Sequence, residues 1–392
     1  MAKKTSVGID IGTYKIKVMV CQAEKSDRVL PRVVGTGSAE SKGLRHGYIV
    51  NPSEVSKSIM QAVEQAEKVS GVKIRRAFIS VGGIGLGTFH ATGAATVSRA
   101  DSEVTNLDVR NALENAEKEI PPSEILNRRT IHTIPTQYKI DGKAVLGRVV
   151  GMKGTRLEVK ALFISCLEQH LNDLIGVVEE AGVDVIDVAA SPLAASFVTL
   201  SKTQKMAGCV LANIGSETTS IVVFENNLPI SLEVFPIGST DITNDIALGF
   251  KIPLEDAERV KTGALGGSEF SRRKIDDIIA ARLGDIFELI ESHLKKIGRN
   301  GLLPAGIIIT GGGSGVSPIE DAAKSALRLP ARIASFSFGE GGGGGGRLRD
   351  SSWSVAYGLC LFGLSSDSES VLKHHHQNLL KTLLSFARQL LP

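Results

Sequence analysis

Cysteine is sparse in this chain: Cys21, Cys166, Cys209 and Cys360 stand far apart, mostly in apolar strand-like runs. That spacing offers neither a zinc ligand set nor a disulfide framework, and it predicts buried thiols in a reducing compartment. Excess charge is lacking too. A net charge of +3, with no basic stripe interleaved with aromatics, argues against a nucleic-acid partner. No apolar run reaches the roughly 18 residues that a membrane-crossing helix needs. The opening Met-Ala-Lys-Lys leads into a strand broken by Asp10, not into the apolar core of a signal peptide. These absences predict a cytoplasmic protein. What is present is globular in kind, 42% apolar and 22% charged. At 392 residues the chain exceeds one ordinary core, so two or more domains are expected.

The most informative stretch is residues 7–20. Two β-rich arms, Val7–Ile11 and Ile16–Val20, flank a turn at Gly12-Thr13-Tyr14. Asp10, Gly12, Thr13 and Lys15 all stand at or beside that turn. Gly12 has no Cβ, so backbone N–H groups there can approach an anion closely, and a hydroxyl and an ammonium follow. Residues 210–224, which include Asn213, Gly215, Ser216, Glu217, Thr218 and Thr219, repeat the pattern of strand, Gly/Ser/Thr turn and strand. One such hairpin in each half predicts two like lobes clamping one polyphosphate.

Between the hairpins, Arg32–Glu40 reads as a strand. Ser53 is the expected N-cap of a helix whose Val55, Ile59, Ala62, Val63, Ala66 and Val69 recur at helical spacing until Gly71. Arg76–Val81 is then a buried strand, which makes the first lobe α/β. Residues 84–165 break the alternation, with one helix at Asp108–Glu119 among strand-like pieces, and predict an inserted subdomain. Helix and strand resume at His170–Ala181 and Val183–Ala189, and a helix from Ser191-Pro192 crosses to the second lobe. There a strand ends in Gly238, and Glu258 and Lys261 fall one turn apart on one helix face. Lys274–Ile297 is a long amphipathic helix. A short buried strand ends in Gly311, Gly312 and Gly313, bare backbone against which a ring or ribose can lie. Gly339–Gly346 is a low-complexity loop, and Trp353–Gly363 a helix returning to the core.

At the far end, Leu379, Leu380, Leu383, Leu384, Phe386, Leu390 and Leu391 share one side of a helical wheel, with Lys381 and Arg388 on the other. This stretch is too short to span a bilayer but suits the interface, its bases toward anionic headgroups. Arg272, Arg273, Lys295, Lys296 and Arg299 read as one basic cluster.

These residues together resemble the actin-like ATPases, and within them the FtsA family of bacterial cell-division proteins. Asp10-Ile-Gly12-Thr13 is similar to the first phosphate motif, Ile214–Thr219 to the second, and Thr310–Gly313 to the adenosine motif. Arg76–Gly83 leading into an insertion, Val104–Val109, Gly151–Glu158 and Glu255–Lys261 carry the resemblance to FtsA. It implies an actin-like two-lobed fold of duplicated ribonuclease-H-like domains. The first lobe would be 1–83, 166–205 and 353–363, the insert 84–165, and the second lobe 206–240 and 300–352 with a subdomain at 241–299. A linker at 364–376 and a membrane-targeting helix at 377–392 would follow.

The resemblance also implies ATP with magnesium between the lobes, filament formation, attachment to the inner face of the cell membrane at the septum, other division proteins as partners, and a link to FtsZ. The dock for the FtsZ C-terminal peptide would be the basic cluster. Gly12, Thr13 and Lys15 would hold phosphates and Asp10 would act through magnesium waters. Gly215, Ser216, Thr218 and Thr219 would close from the other side, Gly238 would line the cleft, and Glu258 and Lys261 would reach ribose or adenine opposite Gly311–Gly313. The second motif departs from the superfamily pattern. Asn213 replaces an Asp and cannot take a proton from water. Glu217 replaces a glycine and would cost about 3 kcal/mol per like-charge pair at roughly 6 Å from a phosphate. It must turn away or recruit magnesium, and slow or absent hydrolysis is expected.

Overall fold

The computed structural model describes residues 4–23, 31–264, 270–335 and 350–365. The Gly339–Gly346 loop, the linker from residue 366 and the helix expected over 377–392 lie outside them.

Apolar alternation builds the first sheet. Strands β1 (Lys4–Ile11), β2 (Lys15–Ala23) and β3 (Arg32–Glu40) run antiparallel. After the short ribbon β4 (Leu44–Arg45) and β5 (Tyr48–Ile49), helix α1 (Pro52–Ser70) covers the sheet with Val55, Ile59, Ala62 and Ala66 fully buried. Each large apolar side chain buried this way contributes about 1.5–3 kcal/mol. The α1 cap is Asn51, not Ser53. The Asn51 side chain accepts the Glu54 N–H, and Pro52 takes the first helical position, where its missing N–H costs nothing. Gly71 ends the helix in the left-handed region, φ 68°. Strand β6 (Arg76–Val81) then pairs parallel with β1.

The insert follows: β7 (Gly87–Thr96), α2 (Asn106–Lys118), α3 (Pro122–Ile125), β8 (Arg128–Ile140), β9 (Lys143–Val145) and β10 (Arg156–Leu167). Its sheet runs β7-β10-β8-β9, with a separate core of α2 residues Val109, Ala112, Leu113 and Ala116 against Leu157, Val159 and Phe163. A reciprocal cap starts α2: Asp108 accepts the Thr105 N–H at 2.8 Å while the Thr105 hydroxyl accepts the Asp108 N–H at 3.3 Å. The insert also touches the second lobe, Thr88 Oγ1 donating to the Leu232 carbonyl at 3.2 Å. Helix α4 (Glu168–Glu180), strand β11 (Asp184–Ala190) and helix α5 (Ser191–Thr199) complete this half of the chain.

The second lobe repeats the first. After α6 (Lys202–Ala207), strands β12 (Cys209–Ile214), β13 (Thr219–Glu225) and β14 (Leu228–Phe235) run antiparallel. Helices α7 (Ser239–Phe250), α8 (Leu254–Lys261) and α9 (Arg272–Lys296) follow, then β15 (Ile307–Thr310), α10 (Ile319–Leu327) and β16 (Ala331–Ile333). The sheet orders β11-β6-β1-β2-β3 and β16-β15-β12-β13-β14 correspond strand for strand, with three antiparallel strands and two parallel ones in each. The duplication expected from two hairpins therefore extends to whole sheets. Helix α11 (Ser354–Ser365) returns to the first sheet, burying Ala356, Tyr357 and Cys360 against Met19 and Cys21. All four cysteines are buried free thiols, as expected.

Candidate functional site

Both hairpin turns open into one cleft of about 880 Å³ between the two sheets. That volume falls in the range of small-molecule sites. The sequence-derived residues Asp10, Gly12, Thr13, Lys15, Asn213, Gly215, Ser216, Thr218, Glu258, Lys261, Gly311 and Gly312 all line it.

On the first-lobe side, the tight pairing of Ile11 with Ile16 turns the chain at Gly12-Thr13-Tyr14. Asp10, the last residue but one of β1, lines the cleft, and Ser80 Oγ donates to its Oδ1 at 2.9 Å and accepts the Ile11 N–H at 3.2 Å. Lys17, directly across the hairpin from Asp10, is not picked out by its sequence context and is the more buried of the two hairpin lysines that line the cleft. Its Nζ donates to the Ser352 carbonyl at 2.7 Å and to the Ser352 hydroxyl, and lies 5.4 Å from the centroid of Trp353, the only tryptophan of the chain. Burial pushes the Asp10 carboxyl above its usual range, opposed by Lys17 and Ser80. Burial also lowers the Lys17 ammonium, opposed by Asp10 and Asp350. A polyanion entering here would stabilise the charged form of Lys17. The strand alternation held one signal: Lys15 and Lys17 share a strand face, opposite Ile16 and Val18.

The second-lobe side is a loop locked onto a helix start. The Gly215 N–H donates to Thr218 O at 2.8 Å, and the N–H groups of Ser239 and Thr240 donate to Gly215 O and Ser216 O at 2.9 and 2.8 Å. Gly238 does not line the cleft. It lies behind the loop, where a Cβ would come 2.3 Å from Ser216 O, so its bareness lets α7 approach. Thr219 is also turned inward, fully buried, its hydroxyl donating to Ile237 O at 2.8 Å. Glu217 points away from the cleft, as its charge requires, and its Oε2 accepts the His46 N–H.

At the other end, Lys261 and Glu258 form a 2.6 Å ion pair, and both meet the Thr243 hydroxyl, at 2.8 and 2.6 Å. Lys261 also donates to Ser239 O at 3.1 Å and is almost wholly buried. Across from them Gly311, at φ 94° and ψ 173°, carries the chain from β15 into a 3₁₀ turn at Gly312–Gly315. Ser314 and Ser351 hydroxyls donate to its carbonyl at 2.7 and 3.3 Å. Gly313 is buried behind the turn, against Ile214 and Ser239, and does not line the cleft.

The expected basic cluster is divided. Helix α9 is one continuous helix, so Arg272 and Arg273 stand about 34 Å from Lys295 and Lys296 at 1.5 Å per residue. Arg299 is a staple, bidentate to Glu225 at 3.1 and 2.8 Å. Arg272 and Lys295 make exposed pairs with Asp276 and Glu291, which stabilise little.

The family described as "Cell division protein FtsA" matches residues 210–358, and "SHS2 domain inserted in FTSA" matches residues 87–165. The Bacillus subtilis (strain 168) cell division protein FtsA is 33% identical over 350 residues, covering 84% of this chain and 78% of that protein. Its Pseudomonas aeruginosa counterpart is 28% identical over 389 residues, covering 94% and 91%. Among solved structures, the PilM-PilN type IV pilus biogenesis complex aligns with TM-score 0.68 at 17% identity, over 92% of this chain and 98% of that one. That likeness concerns the fold alone.

Proposed function

The chain belongs to the FtsA family of cell-division proteins, and from that membership we propose that it binds ATP with magnesium between its lobes and assembles into filaments on the inner face of the cell membrane, tethering the FtsZ ring at the septum. The observation that carries the reading is the convergence of two like strand–turn–strand loops on one cleft of an actin-like fold. Gly12, Thr13, Lys15 and Lys17 would hold phosphates from the first lobe, and Gly215, Ser216 and Thr218 from the second. Thr219, Gly238 and Gly313 would support these loops from behind. Glu258 and Lys261 would face the sugar and base, opposite the open backbone of Gly311 and Gly312.

The donor set suits magnesium held mainly through phosphate and water. Asp10 is a carboxylate raised by burial, which a divalent cation would relieve, while no cluster of three His, Cys, Asp or Glu side chains stands ready for a metal among the described residues. The cation would supply charge neutralisation for the phosphates. Asn213 packs against Gly311 at the cleft, and an amide cannot accept a proton from an attacking water, which supports slow hydrolysis. With the basic cluster divided, the FtsZ peptide would dock at the exposed Arg272–Arg273 end of α9, where Lys274 Nζ donates to the Gly249 carbonyl at 2.6 Å.

No helix of the described residues is long and apolar enough to cross a membrane, so attachment would fall to the amphipathic stretch 377–392. In pelleting with anionic vesicles and MgATP followed by electron microscopy, filaments lying on the vesicles are expected. Vesicles bare of protein with ATP present would refute the assembly reading.

A further inference from the structure

The second phosphate loop carries Ser216-Glu217, and the nucleotide reading leaves Glu217 without a task. Its carboxylate crosses to the first lobe and accepts the backbone N–H of His46. The contact is reciprocal, with His46 Nδ1 3.2 Å from Glu217 O. His46 sits in the left-handed region, φ 47°, at the tip of the β4–β5 ribbon, which aims its N–H across the gap. The next residue, Gly47, meets Gly83 so closely that a Cβ on Gly47 would lie 2.5 Å from the Gly83 Cα. Gly47 and Gly83 line the cleft on one side, and Ser216 and Thr218, flanking Glu217, line it on the other.

We infer that Glu217 is a positioning residue, a clasp that fastens the two lobes across the mouth of the cleft and sets how long a bound nucleotide is retained. This rests on the nucleotide-binding reading. A polyphosphate in the turn repels the Glu217 carboxylate and so favours the outward rotamer that reaches His46. Cleft occupancy and lobe closure are thereby coupled through one side chain. A charge-assisted hydrogen bond to a backbone N–H is the strong kind, and here it spans two bodies that must separate for release. The lobes also share one buried apolar cluster, in which Leu193 and Ala194 of the first join Leu211, Val222 and Phe224 of the second, so loosening the clasp leaves the chain folded.

Release of a fluorescent ATP analogue from the full chain with magnesium tests this directly. Glu217→Ala is expected to release it about tenfold faster, the effect of losing one such bond. Glu217→Gln, which keeps a carbonyl acceptor, and His46→Gly, which keeps the N–H and the backbone geometry, should stay within about threefold of the unaltered chain. Cooperative melting in all three, lowered by no more than a few degrees in Glu217→Ala, would separate a clasp from a merely structural role. Release from Glu217→Ala at the unaltered rate, or equal release from Ala and Gln, would overturn the clasp. If the unaltered chain binds no analogue, the nucleotide reading fails instead, and the clasp is judged without ligand. Hydrogen exchange at the His46 amide should then be faster in Glu217→Ala but not in Glu217→Gln, and equal exchange in all would overturn it.

Discussion

Replacing Gly311 by alanine should destabilise the second lobe by about 3 kcal/mol and abolish nucleotide binding. At φ 94° and ψ 173° the backbone is in a region that only glycine occupies freely, and a side chain forced there costs about 1–3 kcal/mol. A Cβ would also stand 2.4 Å from Asn213 Oδ1 and 2.5 Å from Ile214 O. Those atoms belong to β12, the first strand of the sheet, so relief by movement would carry the second phosphate loop with it. Overpacking of this kind adds about 1–3 kcal/mol. Gly312→Ala is the contrast. Nothing lies within 4 Å of a Cβ there, yet the residue lines the cleft. Stability should hold while the new methyl takes up space intended for the ligand. Denaturant melts read the first effect and titration with ATP the second. A Gly311→Ala protein as stable as the unaltered chain would show that the turn is not built as described.

Deleting residues 377–392 should release the protein from anionic vesicles altogether. The stretch places its leucines and Phe386 on one side of a helical wheel and Lys381 and Arg388 on the other, a pattern suited to the headgroup boundary. A single short helix binds weakly, but a filament presents many, and avidity multiplies them. The twelve or so residues before it would reach roughly 19 Å on average, enough to keep the body clear of the surface. The truncated chain should therefore stay in the supernatant with or without ATP, while Leu383→Glu in the full chain should weaken pelleting by the same route. Unchanged sedimentation of the truncated chain would remove the membrane assignment.

Local chemistry made the two hairpin turns legible, because a glycine with flanking hydroxyls between β-rich arms has few other uses in both halves of one chain. The matched sheets follow from the same repeat. Coulomb's law alone leaves Glu217 either to turn away from phosphate or to recruit magnesium, and its partner lies 171 positions earlier, where no local pattern names it. Lys17 escaped for the same reason: what holds it is Ser352, 335 positions away. Gly238 has the sequence context of a cleft residue although its bareness serves helix packing, a distinction that only the position of Ser216 reveals. The basic cluster is divided because its members stand at opposite ends of a continuous helix, which holds them far apart in space. At α1 the choice between Asn51 and Ser53 turns on Pro52, whose fixed φ starts the helix two residues earlier.

Calorimetric titration of the full chain with MgATP, followed in parallel by tryptophan fluorescence, bears most directly on a nucleotide held between the lobes. Trp353 is the sole tryptophan and sits at the cleft beside Lys17, so phosphates that draw the ammonium from its ring must alter its emission. Saturable heat with a matching change in Trp353 emission, both weakened in Lys17→Met, is the expected result. No heat and no change in emission at millimolar ATP would contradict it.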